Sequence, residues 1–198
     1  MTARSLVILM LLVSVPALGK ETPYQGDLFS FSYPDTWSIV REGTENGMQH
    51  VGVRPKDATG VSVWVAGFQV PETSDSSELD DSGEVLSFKF LASFLKSANK
   101  AKDSAQATVM FGRMETAGGE QPSSIMMFPT PDGKSYLMAE CSIVRTGPRT
   151  TIGVVVLKAG KPGILDSSAE HLAHHRQAYD IAATVKKRKA AAKKGKPE

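Results

Sequence analysis

The C-terminal half of this chain holds three strand-like runs in succession, Ser124–Phe128, Lys134–Arg145 and Thr151–Lys158. Only five residues lie in each gap, including Thr130-Pro131-Asp132-Gly133 and Thr146-Gly147-Pro148, and Pro, Asp and Gly are the residues that tight turns demand. Connections this short cannot carry the crossover that a parallel pair needs, so these strands pair antiparallel. In the middle run, Leu137, Ala139, Cys141 and Ile143 share one face by period two. An antiparallel sheet with a buried face is therefore what every other part of the chain has to accommodate.

The remaining elements follow from the same periodicities. Leu28–Tyr33 alternates Phe29, Phe31 and Tyr33 inward with Ser30 and Ser32 outward. Pro34-Asp35 turns the chain, Trp37–Arg41 resumes as a strand, Gly43 to Gly47 reads as a polar turn, and Met48–Arg54 is a third strand. Val61–Val70 carries Val61, Val63 and Val65 on one face and Trp64, Ala66 and Phe68 on the other. Apolar residues on both faces predict a central strand covered on both sides. Glu84–Ala98 is predicted to be helical. Leu86, Phe88, Phe90, Leu91, Phe94, Leu95 and Ala98 form its apolar stripe, with Lys89, Ser93 and Lys96 on the remainder. Ala105–Met114 reads as a further strand. Ser167 and Glu170 make a capping box that opens a second helix from Ser168 to about Arg188. Its apolar sector holds Leu172, Ala178, Tyr179, Ile181, Ala182 and Val185, opposite Glu170, Arg176, Gln177, Asp180 and Thr184. The expected class is α/β in the α+β sense, with an antiparallel sheet flanked by helices in one domain over 28–185.

Ahead of that domain, residues 1–19 have the layout of a secretory signal peptide. Arg4 is basic, Leu6–Val15 is apolar, and Ala17 and Gly19 stand at −3 and −1 of a cut before Lys20. The apolar run is about half of the ~20 residues a spanning helix needs. The expectation is an exported chain, periplasmic or extracellular, with no transmembrane span after cleavage near Gly19. Residues 20–27 read as an N-terminal segment outside the domain. An oxidising compartment favours disulfides, yet Cys141 is the one cysteine. The domain must then rest on its apolar core, and a strand position marks Cys141 as a small buried hydrophobe rather than a reactive thiol.

A net charge of +2 conceals a split. Residues 186–198 hold Lys186, Lys187, Arg188, Lys189, Lys193, Lys194 and Lys196 against Glu198, which leaves the rest of the chain net acidic. Such a basic tail either solubilises the chain end or makes non-specific electrostatic contact with an anionic surface. Near an anionic membrane each Lys contributes about 1 kcal/mol. Nucleic acid would meet the same charges. Export argues against it as a partner, and the tail lacks the aromatic residues that stack on bases.

Enzyme signatures are absent: no G-x-S-x-G elbow, no phosphate-binding G-x-x-x-x-G-K-[ST], no C-x-x-C and no H-E-x-x-H. No cofactor is expected. His171, His174 and His175 are three of four histidines, and all fall in the apolar sector of the second helix. His171 and His175 stand one turn apart, so their rings can converge on a metal ion. A third ligand would be His50 or an acid from another element. The alternatives are packing at the sheet rim and a pH-sensitive contact. The acidic run Glu72–Ser82 lacks the D-x-D-x-D-G spacing of a calcium loop. Met110, Met114, Met126, Met127 and Met138 fall in the later strands. Thioethers hold Cu(I), but filling a core is their commoner use.

The segment Phe29-Ser30-Phe31-Ser32-Tyr33-Pro34-Asp35-Thr36-Trp37 resembles the opening of PsbP-like domains, where an aromatic strand runs into Tyr-Pro, two residues and Trp. The later order is also similar: a strand pair, a helix, an antiparallel meander and a closing helix. The resemblance covers about Leu28–Val185 and implies an α/β/α sandwich with mostly non-enzymatic relatives. It brings no catalytic motif, and the basic tail is not part of its pattern. The function expected is an exported non-enzymatic binding or accessory protein that docks a protein assembly or envelope component, with electrostatic help from the tail. The alternatives are a metal-binding protein using His171 and His175, and a hydrolase with an unrecognised site.

Overall fold

The computed structural model describes residues 20–45, 47–58, 60–69, 83–97, 107–129, 136–145, 150–160 and 169–187. The expected signal segment, the acidic run, the two turns of the meander, Ser167 of the capping box and the tail beyond Lys187 lie outside the described residues. In chain order the elements are β1 (Glu21–Gln25), β2 (Phe29–Pro34), β3 (Trp37–Glu45), β4 (Met48–Pro55), β5 (Val61–Gln69) and α1 (Gly83–Ser97). There follow β6 (Thr108–Thr116), β7 (Gly119–Pro129), β8 (Tyr136–Arg145), β9 (Thr150–Gly160), α2 (Ala169–Thr184) and β10 (Lys186–Lys187). A seven-stranded sheet runs β3-β4-β5-β9-β8-β7-β6, and a three-stranded sheet runs β1-β2-β10. Every pairing in both is antiparallel.

Alternation along the central strands divides the core into two layers. Val61, Val63 and Val65 share a face with Val51, Val53, Ile152, Val154 and Val156. They pack against Ala178, Ile181, Ala182 and Val185 of the α2 region and against Phe29 and Phe31 of β2. On the other face, Met126, Phe128, Ala139, Cys141, Ile143, Val155 and Leu157 meet Leu91 and Leu95 of α1. Helices thus cover opposite faces of one antiparallel sheet, the α/β/α arrangement, because β5 and β9 are apolar on both sides. The helix over the second face lies close. A Cβ at Gly153 would stand 2.4 Å from the Phe90 ring, so only glycine admits α1 at this depth.

Several expectations are corrected. The segment 20–27 is not outside the fold, since β1 pairs with β2 from Glu21↔Pro34 to Gln25↔Ser30. Tyr24 anchors it, with its ring 5.0 Å from that of Phe31 and 5.9 Å from that of Phe29. The second helix does not reach Arg188. It stops at Thr184, whose hydroxyl accepts from the Ser32 N–H at 2.9 Å, and Lys186 and Lys187 then pair with Ser30 and Phe29. Pairing with β2 satisfies backbone groups there, whereas a helical continuation would stack like charges one turn apart. The expected polar turn from Gly43 is shorter, because β3 continues to Glu45 and the reversal falls at Gly47, with φ of 75°. Leu172 is 52% exposed although it lies in the predicted apolar sector, and the next buried residue along α2 is His174.

Candidate functional site

Of the predicted ligand residues, His50 is set apart from the helix pair. His171 and His175 do lie one turn apart in α2, and the His175 ring is half-buried. His50 stands opposite Ala66, on the α1 face, so the sheet separates it from α2. His174, at 8% exposure, turns its Nε2 to Asp57 Oδ1 at 3.5 Å. Among the described residues no three His, Cys, Asp or Glu side chains converge. Cys141 is fully buried in the α1-side layer, and burial pushes its thiol well above the usual range, so it is packed as a hydrophobe. Of the basic tail, Lys186 is exposed within β10.

The α2 face carries a polar array that the sequence reading missed. β8 sets Glu140 between Ile125 of β7 and Val156 of β9, and its side chain is buried. Ser123 Oγ donates to Glu140 Oε1 at 2.8 Å, and the Tyr179 hydroxyl donates to Oε2 at 2.5 Å. The Lys158 ammonium donates to the Tyr179 oxygen and sits 4.2 Å from the ring centroid. Burial, reinforced by the Glu140 carboxylate, pushes the Tyr179 phenol far above its ordinary range. Burial also holds Lys158 below the usual lysine value, an effect that Glu140 partly offsets. A buried carboxylate is tolerable only when its oxygens are engaged. Here they are, and the array fastens α2 to β8 and β9. One sequence signal pointed to it: Tyr136, Met138, Glu140, Ser142 and Val144 form the other face of β8, and Glu140 is the only charge among them.

Beside the array lies a partly exposed apolar area. The register aligns Thr108, Met127, Met138 and Lys158 in one row, and Met110, Ile125 and Glu140 in the next. Met110, Ile125, Met127 and Met138 therefore form a continuous apolar area on the α2 face, between Lys158 and the outer edge of β6. Met110 is 41% exposed, and the other three are half-exposed. Met114 and Met126 behave differently, both being buried. The five methionines that the sequence places in the later strands thus divide into core fillers and a surface. Unbranched thioether side chains give such a surface an adaptable contour.

No family model and no curated protein matches the chain. Solved structures do. Cyanobacterial PsbP from Synechocystis sp. PCC 6803 is similar at 12% identity over 88% of this chain and 96% of that one, with a TM-score of 0.49. A protein of Bacteroides thetaiotaomicron VPI-5482 is similar at 18% identity over 87% of this chain, with a TM-score of 0.47, and this chain spans 50% of its length. LpqN, involved in cell envelope biogenesis of Mycobacterium tuberculosis, is similar at 10% identity over 85% of this chain and 90% of that one, with a TM-score of 0.38. These likenesses concern the fold alone. PsbP stands among them, the family whose opening motif Phe29–Trp37 resembles.

Proposed function

We propose that this is an exported, non-enzymatic accessory protein that docks a protein assembly or envelope component through the Met110–Ile125–Met127–Met138 area. The observation that carries the reading is that area itself: a contiguous, half-exposed apolar surface next to a satisfied polar array. Exposed apolar patches of this kind mark binding sites, and methionine suits a surface that has to re-pack against a partner. The basic run adds long-range attraction. It begins at β10, in the small sheet that packs on the same side of the large sheet as α2. No helix among the described residues is long and apolar enough to cross a membrane.

The test is retention of the full chain by solubilised envelope fraction and by phosphatidylglycerol vesicles. Met127→Glu places a charge in the centre of the area, and Met127→Leu keeps its volume and polarity. The Glu variant is expected to bind about tenfold more weakly, a loss near 1.4 kcal/mol, with an unchanged circular dichroism spectrum. The Leu variant is expected to bind as the parent does. Equal binding by the Glu variant, or no retention of the parent by either probe, overturns the reading.

A further inference from the structure

The two outer strands of the large sheet are finished differently. β3 is blunted: its register shifts between Ile39 and Arg41, it carries Arg41, Glu42 and Glu45, and Tyr24 of the small sheet donates to Glu42 at 2.8 Å. Bulges and charges are how natural sheets prevent edge-to-edge pairing. β6 has neither where it matters. Its pairing with β7 is regular from Thr108 to Thr116. Thr108, Val109, Met110 and Phe111 are all exposed, Phe111 at 60%. Its first charge is Arg113, which already faces Glu120 of β7 at 3.7 Å. Among the described residues nothing pairs with this edge.

We infer that β6 is a subunit interface, at which two copies of this chain pair edge to edge with β6 antiparallel to its counterpart about a two-fold axis at Met110. The occupant is a second copy because the strand is complementary to itself in this register. Met110 falls opposite Met110, Val109 opposite Phe111, Thr108 opposite Gly112 and Arg113 opposite Ala107. Apolar residues meet apolar residues, and no like charges are opposed across the seam.

The helix layer fits the same symmetry. Val109 and Phe111 lie on the α1 face, since they pair with Met126 and Ser124. On α1, the Phe94 ring packs at a tilt against Trp64 of β5 and Phe90 lies over Gly153 of β9. Phe88 and Val85 occupy the opposite flank of the helix, towards β6, and both are exposed. A two-fold axis normal to the sheet keeps both α1 helices on one side of it. Val85, Phe88, Val109 and Phe111 of one copy then continue into the same strip of the other, an isologous contact. The pair shares Met110 with the proposed docking area, whose Ile125, Met127 and Met138 lie off the seam on β7 and β8.

The experiment is light scattering on the full chain over a concentration series, with oxidative cross-linking of single-cysteine additions. The parent is expected at twice the chain mass, and Val109→Lys is expected to become monomeric with unchanged circular dichroism. Residues opposite one another in an antiparallel pair have Cα atoms about 4.5–5.5 Å apart, within the span of a disulfide. Met110→Cys should therefore form a covalent dimer on mild oxidation. Phe111→Cys, which faces Val109, should do so several-fold more slowly, and the parent with its buried Cys141 should not. A monomer throughout the series overturns the inference. So does equal cross-linking at positions 110 and 111, or an edge that pairs only with a strand of a different protein.

Discussion

Tyr179 donates its phenolic hydrogen to Glu140 across 2.5 Å, and this bond ties the middle of α2 to β8. The same oxygen accepts from Lys158, so one hydroxyl joins a buried acid to a partly buried base. Tyr179→Phe keeps the ring under the ammonium and removes only that link. Leaving such groups without their partner costs about 1–3 kcal/mol. Urea unfolding of the variant is expected to show a lower midpoint at an unchanged slope.

The array also sets a pH dependence. Tyr179 has a raised folded-state pKa, so the folded protein keeps a proton that the unfolded chain releases above the ordinary phenol value of about 10. Its stabilisation is complete below that pH and is lost as pH rises beyond it. Lys158 acts in the opposite sense, since burial lowers its folded value. The unfolded chain then binds the extra proton, and stability climbs with pH in the window just below the ordinary lysine value of about 10.4. Stability above about pH 10 should fall less steeply in Tyr179→Phe than in the parent, as measured by urea midpoints through the alkaline range. Some fall remains, because Tyr24 is also shifted upward by burial and Glu42.

Gly153 and Phe90 set how closely α1 approaches the sheet. An added Cβ at Gly153 would meet the Phe90 ring at 2.4 Å, so the ring or the helix has to move. Gly153→Ala is expected to destabilise by about 1–3 kcal/mol, as overpacking does. Phe90→Leu in the same chain should recover part of that loss. A thermodynamic cycle over the two substitutions measures the coupling.

What was legible in the sequence was what has a local period. β5 and β9 show apolar residues on both faces, and their central, doubly covered positions follow from that. The Phe29–Phe31 alternation and the seat of Cys141 were equally plain. β1 and β10 were not, because neither has a pattern of its own. β1 has one buried side chain, Tyr24, and β10 is two lysines. Both exist because β2 has edges to fill, which is a tertiary fact. The spacing of His171 and His175 was readable, but placing His50 on the far face required the β4–β5 register. Glu140 and the methionine surface depend on which strands neighbour β8, and a single strand cannot show that.

The end of α2 changes how the basic tail should be removed. Lys186 and Lys187 belong to β10, so cutting before them strips a strand as well as charges. A chain ending at Lys187 loses Arg188, Lys189, Lys193, Lys194 and Lys196 and keeps the strand. Its melting temperature is expected to match the parent. Its binding to phosphatidylglycerol vesicles is expected to be weaker and less sensitive to salt, because exposed charges act through a screened field. Co-sedimentation at low and high ionic strength reads both effects.

Methionine oxidation footprinting tests the docking surface most directly. Peroxide converts accessible methionine to the sulfoxide. In the free protein Met127 and Met138 should react while buried Met114 and Met126 are spared. Met48 pairs with Phe68 on the opposite face of the sheet and is an internal reference. With saturating envelope fraction present, Met127 and Met138 should be oxidised several-fold more slowly and Met48 at its original rate. Unchanged rates at Met127 and Met138 while the protein is bound would contradict the account.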